Sequence, residues 1–329
     1  MIIPFIDAHV HLNTTSHAKM MKALEYGVSF LSINTDIPFF PSLKEQERVI
    51  LELQKKFPNQ VLHVTSFHNS LPWGTPQWRE DVLSQIKKGL DNGAVGVKIW
   101  KNIGMDLRTS TGDFIMVDDD HMDPIYDFMA QNNVLLIGHQ GEPRNCWLPL
   151  DEMTVDSDRN YFASHPEYHM YLHSAFPSYE RQMQTRDSML EKHPSLRYVG
   201  LHLFSMEWSI EEVALRLDRY PNTMTDLAER ICHLQLQAKE NWNAVRDFCI
   251  KYQDRIIYGT DVIDDGSMED RALNNRFEEL WKFHYRFFAS NEEMIAPEFK
   301  GVFKGLQLPE EVITKIFKTN AVKTYGFKV

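Results

Sequence analysis

The sequence predicts an α/β protein of the (β/α)8 TIM-barrel class, built on a parallel sheet. Three observations carry that expectation. Strand-like and helix-like stretches alternate strictly, the pattern of parallel strands joined by crossover helices. Eight strand-like stretches can be counted, the number that closes such a barrel. Polar side chains recur at the C-terminal ends of those stretches, the face on which barrel enzymes keep their sites.

Each element follows from its residues. Phe5 to Leu12 reads as the first strand, and Ser16 to Gly27 as a short helix. Val28 to Asn34 (V-S-F-L-S-I-N) reads as a strand; Leu43 to Phe57 has helical periodicity and stops before Pro58. Val61 to His68 is the third strand, and Gln77 to Leu90 an amphipathic helix ended by Asp91-Asn92-Gly93. Ala94 to Trp100 is the fourth strand, followed by a loop over Lys101 to Val117 and a helix from Asp119 to Asn132. Val134 to His139 is the fifth strand. Then come helix Tyr179 to Lys192, strand Leu196 to Leu203, helix Ile210 to Tyr220, strand Asn222 to Asp226 and helix Leu234 to Tyr252. Arg255 to Asp261 is the eighth strand and Met268 to Ala289 its helix. A last helix, Leu308 to Tyr325, is expected on the outside of the barrel. One domain over 1–329 is expected, because no composition shift marks a boundary. Two long loops follow the fourth and fifth strands. The second, 140–177, is rich in aromatics and histidine and poor in Gly and Ser, which suits an ordered lid.

Composition bounds the function. The 329 residues are 43% hydrophobic and 25% charged, an ordinary globular balance. Net charge is −11 with no basic run, which argues against a duplex nucleic-acid binder. Cys146, Cys232 and Cys249 lie far apart and make no disulfide framework, so a reducing, cytoplasmic setting is expected. Met1 leads straight into a strand with no signal peptide, although one removed earlier leaves no trace; no apolar run reaches membrane-spanning length. The expected partner is a small-molecule substrate, without nucleic acid or membrane.

The strand ends carry the chemistry. His9 and His11 are two apart, so a strand aims both imidazoles at one side. In the fourth strand Val95, Val97 and Ile99 form the helix-facing set, which turns Lys98 inward. In the sixth, Val199, Leu201 and Leu203 read as helix-facing, which turns His202 inward. His139, Asp226 and Asp261 end the fifth, seventh and eighth strands. Singly, each has a bland reading: a hydrogen-bonded histidine, or an Asp capping the next helix. Four histidines and a carboxylate on one rim make a ligand set for a borderline divalent cation, Zn²⁺ foremost, with Mn²⁺, Fe²⁺ or Ni²⁺ also accepted. Arg144, Trp100, Asp226 and His68 are the expected substrate contacts, Arg144 because a guanidinium suits a carboxylate. His165, His169 and His173 recur every fourth residue, a pattern that raises a second, structural metal against the stronger reading of ordinary loop histidines.

The local wording F-I-D-A-H-V-H-L, G-V-K-I-W, L-I-G-H-Q-G-E-P, Y-V-G-L-H-L, M-T-D-L-A-E-R and R-I-I-Y-G-T-D resembles the amidohydrolase superfamily, in the branch called amidohydrolase family 2. The tail, with Ile316, Asn320-Ala321 and Tyr325-Gly326, is similar to that branch's closing helix. The resemblance covers nearly the whole chain. It implies that His9, His11, Asp261 and His139 hold a metal, and that His202 is a further ligand or the general base. In some branches a lysine in the position of Lys98 is carbamylated and bridges two metals; elsewhere one ion suffices, and one is expected here. The implied activity is hydrolysis of an amide, ester or lactone, with Asp261, His202 and Lys98 as the catalytic groups. The alternatives are non-oxidative decarboxylation of an aromatic or related acid, and a TatD-like deoxyribonuclease, a family expected to carry Glu where this chain has Lys98. A barrel that only binds a ligand is a further reading, disfavoured by the complete ligand set. The resemblance also implies a homodimer.

Overall fold

The computed structural model describes residues 3–328. Nine parallel strands form its frame: β1 Phe5–Leu12, β2 Val28–Ile33, β3 Val61–Val64, β4 Val97–Ile99, β5 Leu136–Gly138, β6 Tyr198–Gly200, β7 Thr223–Asp226, β8 Ile256–Ile257 and β9 Val262–Asp264. They run as two ladders, β3-β2-β1-β9 and β4-β5-β6-β7-β8. The ladders meet at two seams. Between β3 and β4, Thr65 pairs with Val97, and the Lys98 amide donates to the Thr65 carbonyl at 2.7 Å. Between β8 and β1, the Ala8 amide donates to the Tyr258 carbonyl at 3.1 Å. The fold is the expected α/β barrel.

Two apolar layers follow from the strand alternation. Ile6, Ala8, Leu31, Ile33, Val64, Ile137, Val199 and Ile257 make an interior cluster. Phe5, Val10, Phe30, Val97, Ile99, Leu136 and Tyr198 face the helices, against side chains such as Trp78, Ile86 and Trp281. The helices start where their caps say: Ser42, Thr75, Ser178 and Ser209 each accept an amide of the first turn, and Pro76 sits at the start of its helix.

Several expectations change. The sixth strand faces the other way: Val199 and Leu201 are interior, and the strand stops at Gly200 rather than Leu203. The eighth strand is broken into β8 and β9 around Asp261, whose φ is +63°. The helix expected over Leu234 to Tyr252 is two, Ile231–Glu240 and Trp242–Lys251, because Asn241 ends one and caps the next through the Ala244 amide. An antiparallel hairpin, β10 Glu293–Ile295 with β11 Val302–Lys304, precedes the final helix. That final helix is not merely external. Ala321 and Tyr325, with Phe327 just beyond, join the interior cluster, and Asn320 Nδ2 donates to the Ile256 carbonyl at 2.7 Å. An Asn there satisfies a strand carbonyl that has no sheet partner.

The segment after β5 is ordered. It holds a helix, Asp156–Ser164, between short 3₁₀ turns, around its own small core of Cys146, Met153, Phe162 and Met170. Among the described residues no helix is long and apolar enough to cross a membrane.

Candidate metal centre

The centre is assembled from four departures from regular strand geometry. The first is in β1. Asp7 pairs with Phe30 but Val10 pairs with Ser32, so one extra residue is accommodated between them. This bulge changes the strand's phase. Ile6 and Ala8 fill the interior below, and His9 and His11 still point into the mouth above. The bulge packs tightly on β8. A Cβ on Gly259 would lie 2.7 Å from His9 Cβ, which leaves room for glycine alone.

The second departure follows β6. His202, Leu203, Phe204 and Ser205 all take left-handed φ, from +54° to +60°. Each costs roughly 1–2 kcal/mol in a residue other than glycine, so the surroundings must hold the turn. Asp226 Oδ1 accepts the His202 amide at 2.6 Å, Tyr179 Oη donates to the Ser205 carbonyl at 2.7 Å, and buried Arg186 donates to the Phe204 carbonyl. Gly200 leaves space for the Phe204 ring, which would meet a Cβ at 2.1 Å. His202 thus reaches the mouth through this turn, not through strand alternation.

The third is Asp261. The Asp7 carboxylate, buried under the helix that carries Trp281, accepts the amide and hydroxyl of Thr260 at 2.9 and 2.8 Å, and the Asp261 amide donates to the His9 carbonyl at 2.7 Å. These bonds fix the kink that swings the Asp261 carboxylate over the barrel axis. The fourth is the end of β5, where His139 leaves the strand with its ring 4.3 Å from that of His202.

The geometry is convergent. Asp261 Oδ1 lies 3.1 Å from His9 Nε2 and 3.2 Å from His11 Nε2, and Oδ2 lies 4.0 Å from His202 Nε2. Ligand atoms of His9, His202 and Asp261 all fall within 4.8 Å of one another. The other ring nitrogens are taken. His9 Nδ1 meets Asp226 Oδ2 at 2.6 Å, His11 Nδ1 donates to the Ile33 carbonyl at 2.7 Å, and His202 Nδ1 to the Ala228 carbonyl at 2.9 Å. An imidazole that donates from Nδ1 presents a lone pair at Nε2 when neutral. His9 Nε2 and His139 Nε2 are buried without a hydrogen-bond partner among the described residues. Orphaned nitrogens beside a carboxylate fit a divalent cation of the zinc type.

Electrostatics agree with the crowding. Burial opposes charge on His9, but Asp261 and Asp226 outweigh it and raise its pKa to about 9, so a cation entering here must displace a proton. Burial holds His202 down to about 3 and His139 well below the ordinary histidine value. Burial is likewise opposed at Asp261, where His9 and His11 keep the carboxylate well below its usual range.

The remaining expected residues fall in different places. Lys98 is buried at the mouth with no ion-pair partner among the described residues, and burial lowers its pKa to about 7. It lines a small recess with Asp36, Ser66, Asn69, half-buried Trp100 and Asn102. Arg144 stacks its guanidinium 4.3 Å over the Trp208 ring and donates its amide to Glu207. His68 is exposed, with its ring 2.8 Å from Asp36, which lines that recess. Asp226 is not a rim residue either. It is buried, and both of its oxygens are occupied by His9 and His202. The histidines of the segment after β5 make no second centre. His165, His169 and His173 each bond to a backbone carbonyl, those of Tyr161, Leu148 and Pro166.

Sequence reading missed Phe40, whose ring lies 5.1 Å from that of His11, and Asp36 beside Lys98. Both sit in the Asp36-Ile-Pro-Phe-Phe-Pro stretch after β2. Applying the strand-end rule to that short loop would have found them. Buried Glu207 was equally unmarked by any pattern.

A parallel barrel with histidines and an aspartate converging at its C-terminal mouth defines a class of metal-site enzymes. The chain belongs to the amidohydrolase family, whose match (Amidohydro_2) spans residues 6–327, and is an enzyme of that superfamily. In structure it is similar to an uncharacterised TIM-barrel protein of Bordetella bronchiseptica, at 14% identity and TM-score 0.55 over 98% of this chain and 99% of that one. It is similar to a 2,6-dihydroxybenzoate decarboxylase from Rhizobium at 12% identity and TM-score 0.54, over 99% of both chains. It is also similar to a D-hydantoinase from Thermus sp. at 12% identity and TM-score 0.54, over 98% of this chain and 70% of that one. These are likenesses of fold. No curated protein matches the sequence.

Proposed function

We propose that this enzyme is a hydrolase using one divalent ion, zinc foremost, to cleave an amide, ester or lactone bond of a small carboxylate-bearing substrate. The observation that carries the reading is the shared geometry of His9, His11 and His202: Nδ1 held by the protein, Nε2 directed at Asp261. His9, His11, Asp261 and His202 would hold the ion, with His139 beside them. When bound, such a cation lowers the pKa of water to about 7 and polarises a carbonyl.

The chain's own groups do the rest. Asp261 is an ionised carboxylate above the axis, able to take a proton from water and return it to the leaving group. His202, with Nδ1–H spent on Ala228, serves as ligand or base rather than acid. Lys98 supplies a desolvated cation for a substrate carboxylate, with Trp100 as a wall. Phe40 packs against His11 at the mouth. The ordered segment over 140–177 is the proposed lid, and Arg144 within it a second contact for a substrate anion.

Decarboxylation is the second reading, favoured by the same buried Lys98, since a carboxylate held beside the centre is what a decarboxylase needs. The whole-chain family match supports both over a deoxyribonuclease. Turnover of lactones, amides and aryl carboxylic acids by zinc-loaded protein in ¹⁸O-water separates them. Label in the product is expected; CO2 release with no label would shift the assignment. Lys98→Met should raise KM for a carboxylate substrate about tenfold, the scale of one charge-assisted hydrogen bond, with zinc content unchanged. The proposed setting is the cytoplasm, in keeping with the three free cysteines, and the proposed assembly a homodimer, to be checked by light scattering.

A further inference from the structure

We propose that Asp226 is a positioning residue that sets the tautomer of His9 and so makes its Nε2 a ligand. The proposal rests on the metal-centre reading above and adds a role for a residue outside the ligand set.

Asp226 closes β7 with its side chain on the same face as Met224, toward the barrel interior. It lies under the centre, 217 residues from His9 in sequence. Its two oxygens are divided between two ligand arms. Oδ1 takes the backbone amide of His202 at 2.6 Å, and Oδ2 meets His9 Nδ1 at 2.6 Å. An ionised carboxylate only accepts hydrogen bonds. His9 must therefore carry a proton at Nδ1, and on losing its second proton it exposes a lone pair at Nε2, toward Asp261. The same carboxylate holds the first amide of the left-handed turn that delivers His202. One side chain thus fixes ring orientation in β1 and backbone position after β6.

Asparagine at this position has nearly the same shape but one acceptor and one donor group. The His202 amide can only donate, so it claims the Asn oxygen. The Asn NH2 then faces His9 Nδ1. His9 must accept there, its proton moves to Nε2, and the ligand lone pair is lost. Alanine removes the acceptor without forcing the wrong tautomer. A tautomer role therefore makes D226N the worse variant, whereas a packing role makes D226A the worse one.

The test uses the full chain and zinc. Zinc affinity, by competition with a chromogenic chelator, is expected to fall 10–100-fold in D226N, the scale of losing a ligand's hydrogen-bond partner, and less in D226A. In ¹⁵N-histidine NMR of the zinc-loaded wild type, His9 should show a protonated Nδ1 and an unprotonated, zinc-shifted Nε2. Wild-type affinity in D226N, a larger loss in D226A than in D226N, or a wild-type His9 protonated at Nε2 would each overturn the proposal. If D226N does not fold, the wild-type NMR pattern decides alone. A wild-type protein that takes up no zinc overturns the metal-centre reading and this role with it; zinc uptake with an unaffected D226N overturns only the role of Asp226.

Discussion

The histidines of the mouth and those of the segment after β5 have the same chemistry and opposite arrangements. His9, His11 and His202 each spend Nδ1 on a protein acceptor and direct Nε2 at one shared carboxylate. His165, His169 and His173 each spend one nitrogen on a separate backbone carbonyl, and two of them stack on neighbouring aromatics, His165 on Tyr161 at 4.6 Å and His169 on Phe162 at 5.7 Å. The first group is spread over distant strands and converges; the second lies within nine residues and does not. Regular spacing in sequence is therefore a poor guide to a ligand set. What distinguishes a ligand is a fixed second nitrogen together with a common focus.

The largest test of that contrast removes the focus. His9→Ala/His11→Ala should lose zinc retention altogether, by elemental analysis, while unfolding cooperatively; full metal content in the double variant would break the contrast at its root. His63 gives the next test, because it belongs to neither group. It is buried in β3 with neither ring nitrogen hydrogen-bonded among the described residues. Burial depresses its pKa to about 4, and that of His284 to about 3. Both bind a proton more tightly when unfolded, near the ordinary value of about 6.5. Their neutral forms are accommodated at no proton cost above that pH, and stability is lost as pH falls from about 6.5 toward 4. For His63 the loss approaches about 3 kcal/mol at 1.36 kcal/mol per pH unit. Thermal unfolding of zinc-free protein from pH 7 to 4 should steepen accordingly, and His63→Leu should flatten the profile; an unchanged slope would show that His63 finds a partner. The smallest effect is expected in the segment after β5. His165→Ala/His169→Ala/His173→Ala should keep full zinc content and lose about 1–3 kcal/mol, most of it from the carbonyl of Leu148 left without buried His169. Zinc loss in this variant would bring the two groups of histidines together.

Much of the frame was legible because its signals are local. Period-2 apolar runs, helix caps and Gly/Pro stops do not depend on distant residues, and they placed the alternation and the strand ends. They also placed Lys98 inward from Val97 and Ile99, as found. The facing of β6 was misread for a physical reason: Val199 and Leu201 are apolar because the barrel interior is apolar, and alternation alone does not say which apolar layer a residue joins. The final helix was misplaced for the same reason, since Ala321, Tyr325 and Phe327 suit an interior as well as an exterior surface.

The sequence by itself determined which polar residues gather at the C-terminal strand ends: His9, His11, Lys98, His139, His202, Asp226 and Asp261. Only the tertiary structure decided what they do there. It set the bulge that turns His9 and His11 inward together, the left-handed turn that carries His202, and the kink at Asp261. It also turned Asp226 from a rim residue into a buried support. None of these is encoded by a local preference, for non-glycine residues avoid positive φ and bulges break the strand period. They persist because hydrogen bonds from Asp7, Tyr179, Arg186 and Asp226 over-determine them, and those partners lie up to 253 residues away along the chain.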